Sequence, residues 1–385
     1  MTKIDGYVAT EFEPVLDAFA QNFDEQGEVG AAVSVYLDGR PVVDLWGGLA
    51  DPTLLTPWRE DSLVLVYSAT KGVTAVSANL LIERRLLDPE APVAALWPEF
   101  AANGKERITV GQAMSHQAGL PYVEGEFTLD ETLSWTPMVG ALAAQAPIWE
   151  PGTKHGYHMR TFGWIVGELI RRADPQHRSV GTFWREEIAE PLGVDFWIGL
   201  PEGYEPRVAP VVPPKTDLRE ALAAFGDQLL LGRVFSNPGG HFNYDDMWNS
   251  RALRAAELPS SNGIGDARGL ARLYASCVGE VDGRRTLSAD TVERAATQRA
   301  RGRDEVLLTE TCFGLGFMLG KSFGAANPRR AFGHAGAGGS LAFADPDTGI
   351  GFGYVMNDLR FDTAEGDPRS AELVEAVYRV VAPGS

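Results

Sequence analysis

A chain of 385 residues, 44% hydrophobic and 22% charged, is long enough to bury one large core or two joined ones. Its formal net charge of −18 argues against nucleic acid or an anionic membrane as partner, since both would be repelled. No stretch approaches the roughly 20 apolar residues of a membrane span. Met1 to Pro14 carry acids and no long apolar run, so no signal peptide is expected and a cytoplasmic location follows as the default.

Residues 10–24 read as an amphipathic helix, with Phe12, Val15, Leu16, Phe19 and Phe23 on one side. Thr10 and Glu13 have capping-box spacing, and Pro14 is tolerable near a helix start. Gly30 to Leu37 and Arg40 to Trp46 predict two strands joined by the hairpin turn Asp38-Gly39, the second ending at Gly47-Gly48. The pattern then becomes mostly helical, with helices expected at 69–87, 109–116, 137–145, 160–173, 181–190, 218–230 and 266–277. A turn-rich stretch, 232–264, crowds Phe235, Phe242, Tyr244 and Trp248 and could line a pocket. Strand character returns at Phe313 to Leu319, Arg330 to Phe332, Gly339 to Ala344 and Ile350 to Met356, and 369–381 closes as a helix. Strands at both ends with helices between predict one sheet built from both termini. The expected domains are a discontinuous α/β domain, 1–66 with 266–385, and a mainly helical domain, 67–265, with the site between them.

Chemistry concentrates at Ser68. A serine hydroxyl is a poor nucleophile until a neighbour takes its proton. Lys71 follows at a spacing of three, which on a helix places the two Cβ atoms about 5–6 Å apart on one face. Burial and nearby positive charge can lower a lysine pKa to roughly 7–8, making the amine a usable base. Composition predicts about 0.3 chance Ser-x-x-Lys matches in such a chain, and this is the only one. The pair follows the apolar run Leu63-Val64-Leu65-Val66 and opens a helix, whose N-terminus favours negative charge developing on Ser68.

Ser-x-x-Lys is the first motif of the penicillin-binding proteins and serine β-lactamases. The stretch Ile108 to Pro121, containing Ser115-His116-Gln117-Ala118-Gly119-Leu120-Pro121, resembles a further segment of that superfamily. So do Pro151-Gly152-Thr153 with Tyr157, Gly333-His334-Ala335-Gly336, and Ala342-Phe343-Ala344-Asp345-Pro346. The likeness extends over nearly the whole chain and is nearest to β-lactamase-like (family VIII) carboxylesterases. It implies an α+β fold, an antiparallel sheet flanked by helices plus an all-helical domain. It also implies Ser68 as nucleophile, Lys71 as base and Tyr157 as a second proton carrier. A phenol near a cation could spend time as phenolate and pass the serine proton to a leaving alkoxide. The backbone N–H groups of Ser68 and Ala337 would form the oxyanion hole. His334, Gly336, His158 and Met159 would contact substrate, with Gly336 letting the strand come close to it.

Two departures shape the expected substrate. Met159 stands where β-lactamases of the matching type have Asn, and His334 where many relatives have Lys. A thioether hydrogen-bonds poorly, and a histidine of ordinary pKa is mostly neutral, so recognition of carboxylated β-lactams weakens. The expectation is a serine carboxylesterase acting on small neutral esters through an acyl-enzyme. The alternatives are a β-lactamase, a D-amino peptidase or amidase, an acyltransferase, or a penicillin-binding protein that does not turn over. Gly320-Lys321-Ser322-Phe323-Gly324 is the rival nucleophile motif, but Pro328 interrupts the helix that such an elbow needs. Ser260-Ser261-Asn262 comes late for a second motif and reads as a turn leading to the next helix. His155 and His158 lack further ligands, no phosphate loop appears, and no metal or cofactor is expected. Cys277 and Cys312 form no spacing motif and read as small hydrophobes. Trp149, Phe235, Phe242 and Trp248 are weaker candidates for the pocket wall.

Overall fold

Asp38 and Gly39 both take positive φ, 48° and 76°, and close the hairpin between β2 (Gly30–Leu37) and β3 (Arg40–Asp51) as a two-residue turn with the twist of its strands. The computed structural model describes residues 2–215, 230–323, 330–361 and 367–382. The remaining strands, with β1 (Ile4–Val8), are β4 (Thr56–Pro57), β5 (Leu63–Leu65), β6 (Phe196–Trp197), β7 (Val208–Ala209) and β8 (Ile264–Gly265). After them come β9 (Ala300–Arg303), β10 (Glu310–Phe313), β11 (Met318–Leu319), β12 (Phe332–Ala335), β13 (Leu341–Asp345) and β14 (Ile350–Met356). The large sheet runs β1-β3-β2-β14-β13-β12-β11-β10-β9, antiparallel throughout, with β4 attached to β3. Both chain ends meet at its centre, where Phe352 of β14 pairs with Val35 of β2.

Five helices matter for the site: α1 (Glu13–Asp24), α2 (Ala69–Glu83), α3 (Thr161–Ala173), α4 (Ala267–Val278) and α5 (Pro368–Val381). On one face of the sheet, α4 lies directly on β14. A Cβ on Gly351 or Gly353 would come within 2.4 Å of helix backbone, so only glycine permits this approach. Alternation sends Tyr354 to the other face. There its hydroxyl donates to Glu28, which pairs at 2.9 Å with Arg369 of α5. The sheet is thus buried on both sides, giving an α+β fold with an antiparallel sheet flanked by helices. Nearly every side chain of α2, from Ala69 to Ile82, is buried, which puts Lys71 in the interior.

Several local expectations are corrected. Thr10 does not cap α1; Thr10–Phe12 forms a 3-10 turn and Phe12 precedes the helix without a side-chain cap. Gly47 and Gly48 do not end β3, because both pair onward with Ala31 and Gly30. Gly48 takes φ +78°, and a Cβ there would meet the Val29 carbonyl oxygen at 2.1 Å and the Phe23 ring at 2.6 Å, so glycine is required within the strand by the backbone conformation and by α1 packing. The expected strand 313–319 is two strands broken by a tight turn, and β9 was not anticipated. A second sheet, β6-β8-β5-β7, was not anticipated either; its two- and three-residue strands are too short for a periodic signal. The helix expected at 218–230 falls, except for Leu230, outside the described residues. Among the described residues no helix is long and apolar enough to cross a membrane.

Candidate active site

Strand β5 is wholly buried, and Val66 extends it by donating to the Gly263 carbonyl at 2.9 Å. The chain then turns sharply. Tyr67 adopts φ +47°, a strained conformation for a bulky residue. Its ring packs on Tyr244 and Trp248, with centroids 5.3 and 4.8 Å away, and this aromatic cluster holds the turn. Ser68 follows at the start of α2 and is partly exposed between two buried neighbours, Tyr67 and Ala69.

One turn along, Lys71 Nζ lies 3.0 Å from Ser68 Oγ and donates to the Ser260 carbonyl at 2.9 Å. It also sits 4.8 Å from the centroid of the Tyr157 ring. The residue is fully buried, and burial, reinforced by the Arg160 charge, pushes its pKa well below the lysine value. Along the short contact to Ser68, an uncharged amine can accept the hydroxyl proton.

Tyr157 completes the group that sequence brought together, its ring facing the Lys71 amine and its phenol close enough to Ser68 to interact with it. Burial drives this phenol above its ordinary range, and the interaction with Ser68 only partly offsets that. That direction favours the protonated phenol, opposite to the lowering expected from a cationic neighbour. Its backbone is held by Asp304, whose buried Oδ1 accepts from the N–H groups of Tyr157, Val306 and Leu307 at 3.0, 2.8 and 2.9 Å. Sequence reasoning missed Asp304. Its one signal was an Asp placed two and three residues before N–H groups that it could cap.

His334 lies on β12 with its ring 6.0 Å from that of Tyr157. Nδ1 donates to the Ala335 carbonyl at 2.6 Å, and the buried Nε2 has no partner among the described residues. Burial first, and Lys71 second, push its pKa down to about 3, so the imidazole is neutral. Gly336 makes a close approach, but to protein: a Cβ there would lie 2.1 Å from Ser340 Oγ and 2.2 Å from the Val66 carbonyl oxygen. This contact sets the end of β12 against the run-in to Ser68. Ala337 opens the 3-10 turn that follows and is partly exposed.

His158 points away from this cluster of reactive groups. Its Nδ1 donates to Gly156 O at 2.7 Å and its Nε2 accepts from Leu120 N–H at 3.0 Å, leaving neither nitrogen for a substrate. His116 Nδ1 accepts the His158 backbone N–H at 3.1 Å. These bonds tie the Ser115–Pro121 segment to Tyr157. Met159 joins an apolar cluster with Tyr122, Tyr157, Val234, Val306 and Phe313. Phe235, Phe242 and Trp248 are buried, while Trp149 is partly exposed.

The rival motifs take other roles. Gly320–Phe323 forms a 3-10 turn after β11. Asn262 braces its own turn through Leu253 O and Leu258 N, and Asp266 caps α4, yet the Ser260 carbonyl holds Lys71. A backbone acceptor of this kind leaves no sequence signal. His155 Nε2 lies 2.8 Å from Thr311 Oγ1. Cys277 is buried, its thiol pushed up to about 12, and Cys312 is partly buried; neither is disulfide-bonded.

The chain is 39% identical over 371 residues to the "Esterase/beta-lactamase LipL" of Mycobacterium tuberculosis (strain ATCC 25618 / H37Rv), covering 93% of this chain and 83% of that protein. A crystal structure of a family VIII carboxylesterase superposes with a TM-score of 0.89 at 39% identity, covering 98% of this chain and 100% of that one. A penicillin-binding protein homolog from Caulobacter crescentus gives 0.87 at 38% identity, with coverage of 98% and 100%. Residues 16–376 match the Beta-lactamase family, to which this chain belongs.

Proposed function

We propose that this protein is a serine carboxylesterase that cleaves small neutral esters through an acyl-enzyme on Ser68. The observation that carries the reading is the buried, proton-poor Lys71 amine 3.0 Å from Ser68 Oγ. In the proposed cycle Lys71 takes the Ser68 proton as Oγ attacks the ester carbonyl. The tetrahedral oxyanion is received by the backbone N–H groups of Ser68 and Ala337, where one lost donor costs about 2.7–4 kcal/mol in the barrier. Tyr157, protonated and close to Ser68, delivers a proton to the departing alkoxide and is recharged through Lys71. Water then enters, gives its proton to the same pair, and releases the acid. An alcohol in place of water would make the reaction an acyl transfer.

Substrate polarity follows from the side chains around the three reactive groups. His334 is neutral, and Met159 joins an apolar cluster beside Tyr157, so a substrate carboxylate finds neither a cation nor an amide there. Gly336 acts in this reading by seating β12, while His158 acts by bracing the Tyr157 segment. The names of similar proteins, an esterase/beta-lactamase and a family VIII carboxylesterase, support ester cleavage. The similarity to a penicillin-binding protein homolog favours a second reading, acylation without turnover. Hydrolysis of p-nitrophenyl acetate and butyrate beside nitrocefin separates the two, using wild type, Ser68→Ala and Ser322→Ala. Ester turnover lost only in Ser68→Ala is expected. Stoichiometric penicillin labelling with no ester turnover would establish the second reading, and wild-type ester rates in Ser68→Ala would refute both.

A further inference from the structure

Arg160 stands three residues after Tyr157, at the start of α3, and is only 5% exposed. A guanidinium taken from water is costly unless it is paired, and buried arginines ordinarily meet a carboxylate. Among the described residues no carboxylate lies within ion-pair distance of Arg160. Its Nη1 donates to Phe235 O at 2.6 Å and Val234 O at 3.2 Å, and Nη2 donates to Phe242 O at 3.5 Å. The guanidinium carbon lies 4.5 Å from the centroid of the Phe242 ring, and the buried Nε has no partner among the described residues. Its own carbonyl accepts the Ser260 hydroxyl at 3.0 Å, while the Ser260 carbonyl accepts Lys71. One short relay of bonds therefore joins this unneutralised cation to the amine beside the nucleophile.

We propose that Arg160 is a positioning residue with two separable tasks: its unneutralised charge, one bonded relay away through Ser260, disfavours a second cation at Lys71, and its planar fork pins the Val234–Phe242 segment beside Tyr157. The proposal rests on the reading of Ser68 and Lys71 given above. The groups that face Lys71 leave the charge role to Arg160. Ser68 on its own helix and the Ser260 carbonyl are uncharged. Tyr157 and Tyr67 are phenols raised by burial, and His116 and His334 are imidazoles lowered by it. Asp304 is turned to the Tyr157 backbone. Burial and Arg160 act on Lys71 in the same direction, both favouring the neutral amine. The fork role follows from geometry: one guanidinium meets two carbonyls at the end of the short helix Leu230–Phe235 and the Phe242 carbonyl of the turn after it, which a lysine ammonium on a flexible stem cannot reproduce.

Arg160→Met and Arg160→Lys separate the two tasks in pH profiles of kcat/KM on p-nitrophenyl butyrate, with Ser68→Ala beside them. A base must be unprotonated to act, so losing the charge raises the Lys71 pKa and moves the acid limb to higher pH. For Arg160→Met the limb is expected to move up by at least one pH unit, a tenfold or larger loss on that limb. Arg160→Lys keeps the charge and should leave the limb in place, while KM rises severalfold because the segment is no longer pinned. If Arg160→Met does not fold, Arg160→Gln, which keeps polar contacts to the segment without the charge, replaces it with the same expected shift. An unmoved acid limb in the neutral variant, or an equal shift in Arg160→Lys, would overturn the charge role. An unchanged KM in Arg160→Lys would overturn the fork role. Wild-type turnover in Ser68→Ala would mean that the underlying reading has failed. An inactive Ser68→Ala with an unmoved limb in the neutral variant would mean that only the assignment of Arg160 has.

Discussion

Gly336→Ala tests whether the end of β12 is seated on the run-in to Ser68. The new Cβ would meet the Val66 carbonyl oxygen at 2.2 Å, whereas real Cβ contacts essentially never fall under 3.0 Å. Ser340 Oγ, at 2.1 Å, could rotate, but it donates to that same carbonyl at 2.8 Å. The backbone oxygen cannot rotate away. The strand end and Val66 must therefore separate by about 1 Å, and Val66 lies two residues before Ser68. A misplacement of that size costs about 100-fold in rate, and the overpacking itself costs about 1–3 kcal/mol of stability. Steady-state hydrolysis of p-nitrophenyl butyrate and a thermal melt read the two effects separately. A kcat within twofold of wild type, together with an unchanged melt, would refute the argument that Gly336 is required by contact with protein.

Two further outcomes are expected. Asp304→Ala strands the buried N–H groups of Tyr157 and Val306 and the part-buried one of Leu307, a buried one being worth about 1–3 kcal/mol when left unpaired; chemical denaturation should show a loss of that order, with kcat falling as Tyr157 loosens. Asp304→Asn keeps an acceptor oxygen and should recover most of the stability; equal losses in both variants would argue against the acceptor role. The buried histidines set a pH dependence. His334 and His158 are lowered from 6.5 to about 3 and about 4, so on acidification the unfolded chain binds protons before the folded one does. Stability is then full above pH 6.5 and declines below it, by about 2 kcal/mol per histidine at pH 5. Melts between pH 7.5 and 5 should show this decline, with a shallower slope in His158→Gln; a flat profile would contradict it.

Much of the candidate site was legible because its chemistry follows local rules. Ser68 and Lys71 share a helix face by spacing alone, and the apolar run before them announced a buried approach. Tyr157 was reachable through its motif. Asp304 was not, because it acts from a distant loop and touches only backbone N–H groups. Ser260 was set aside for its place in the chain, yet it contributes a carbonyl, which every residue carries. His158 read as a contact to substrate because the motif places it beside Tyr157, while its ring turns back to Gly156 and Leu120.

By itself, the sequence determined the elements with strong periodicity or turn chemistry: the β2–β3 hairpin, α2, α3, α4 and the closing helix. It also determined the pairing of serine with lysine, since a three-residue spacing on a helix is a geometric statement. Tertiary structure decided what those residues can do. Burial, with the Arg160 charge beside it, pushes the Lys71 amine well below the ordinary lysine range, and burial pushes the Tyr157 phenol up. Proton affinity depends on the solvent and charges that surround a group, and those are assembled only when β12, β13 and α3 pack against α2.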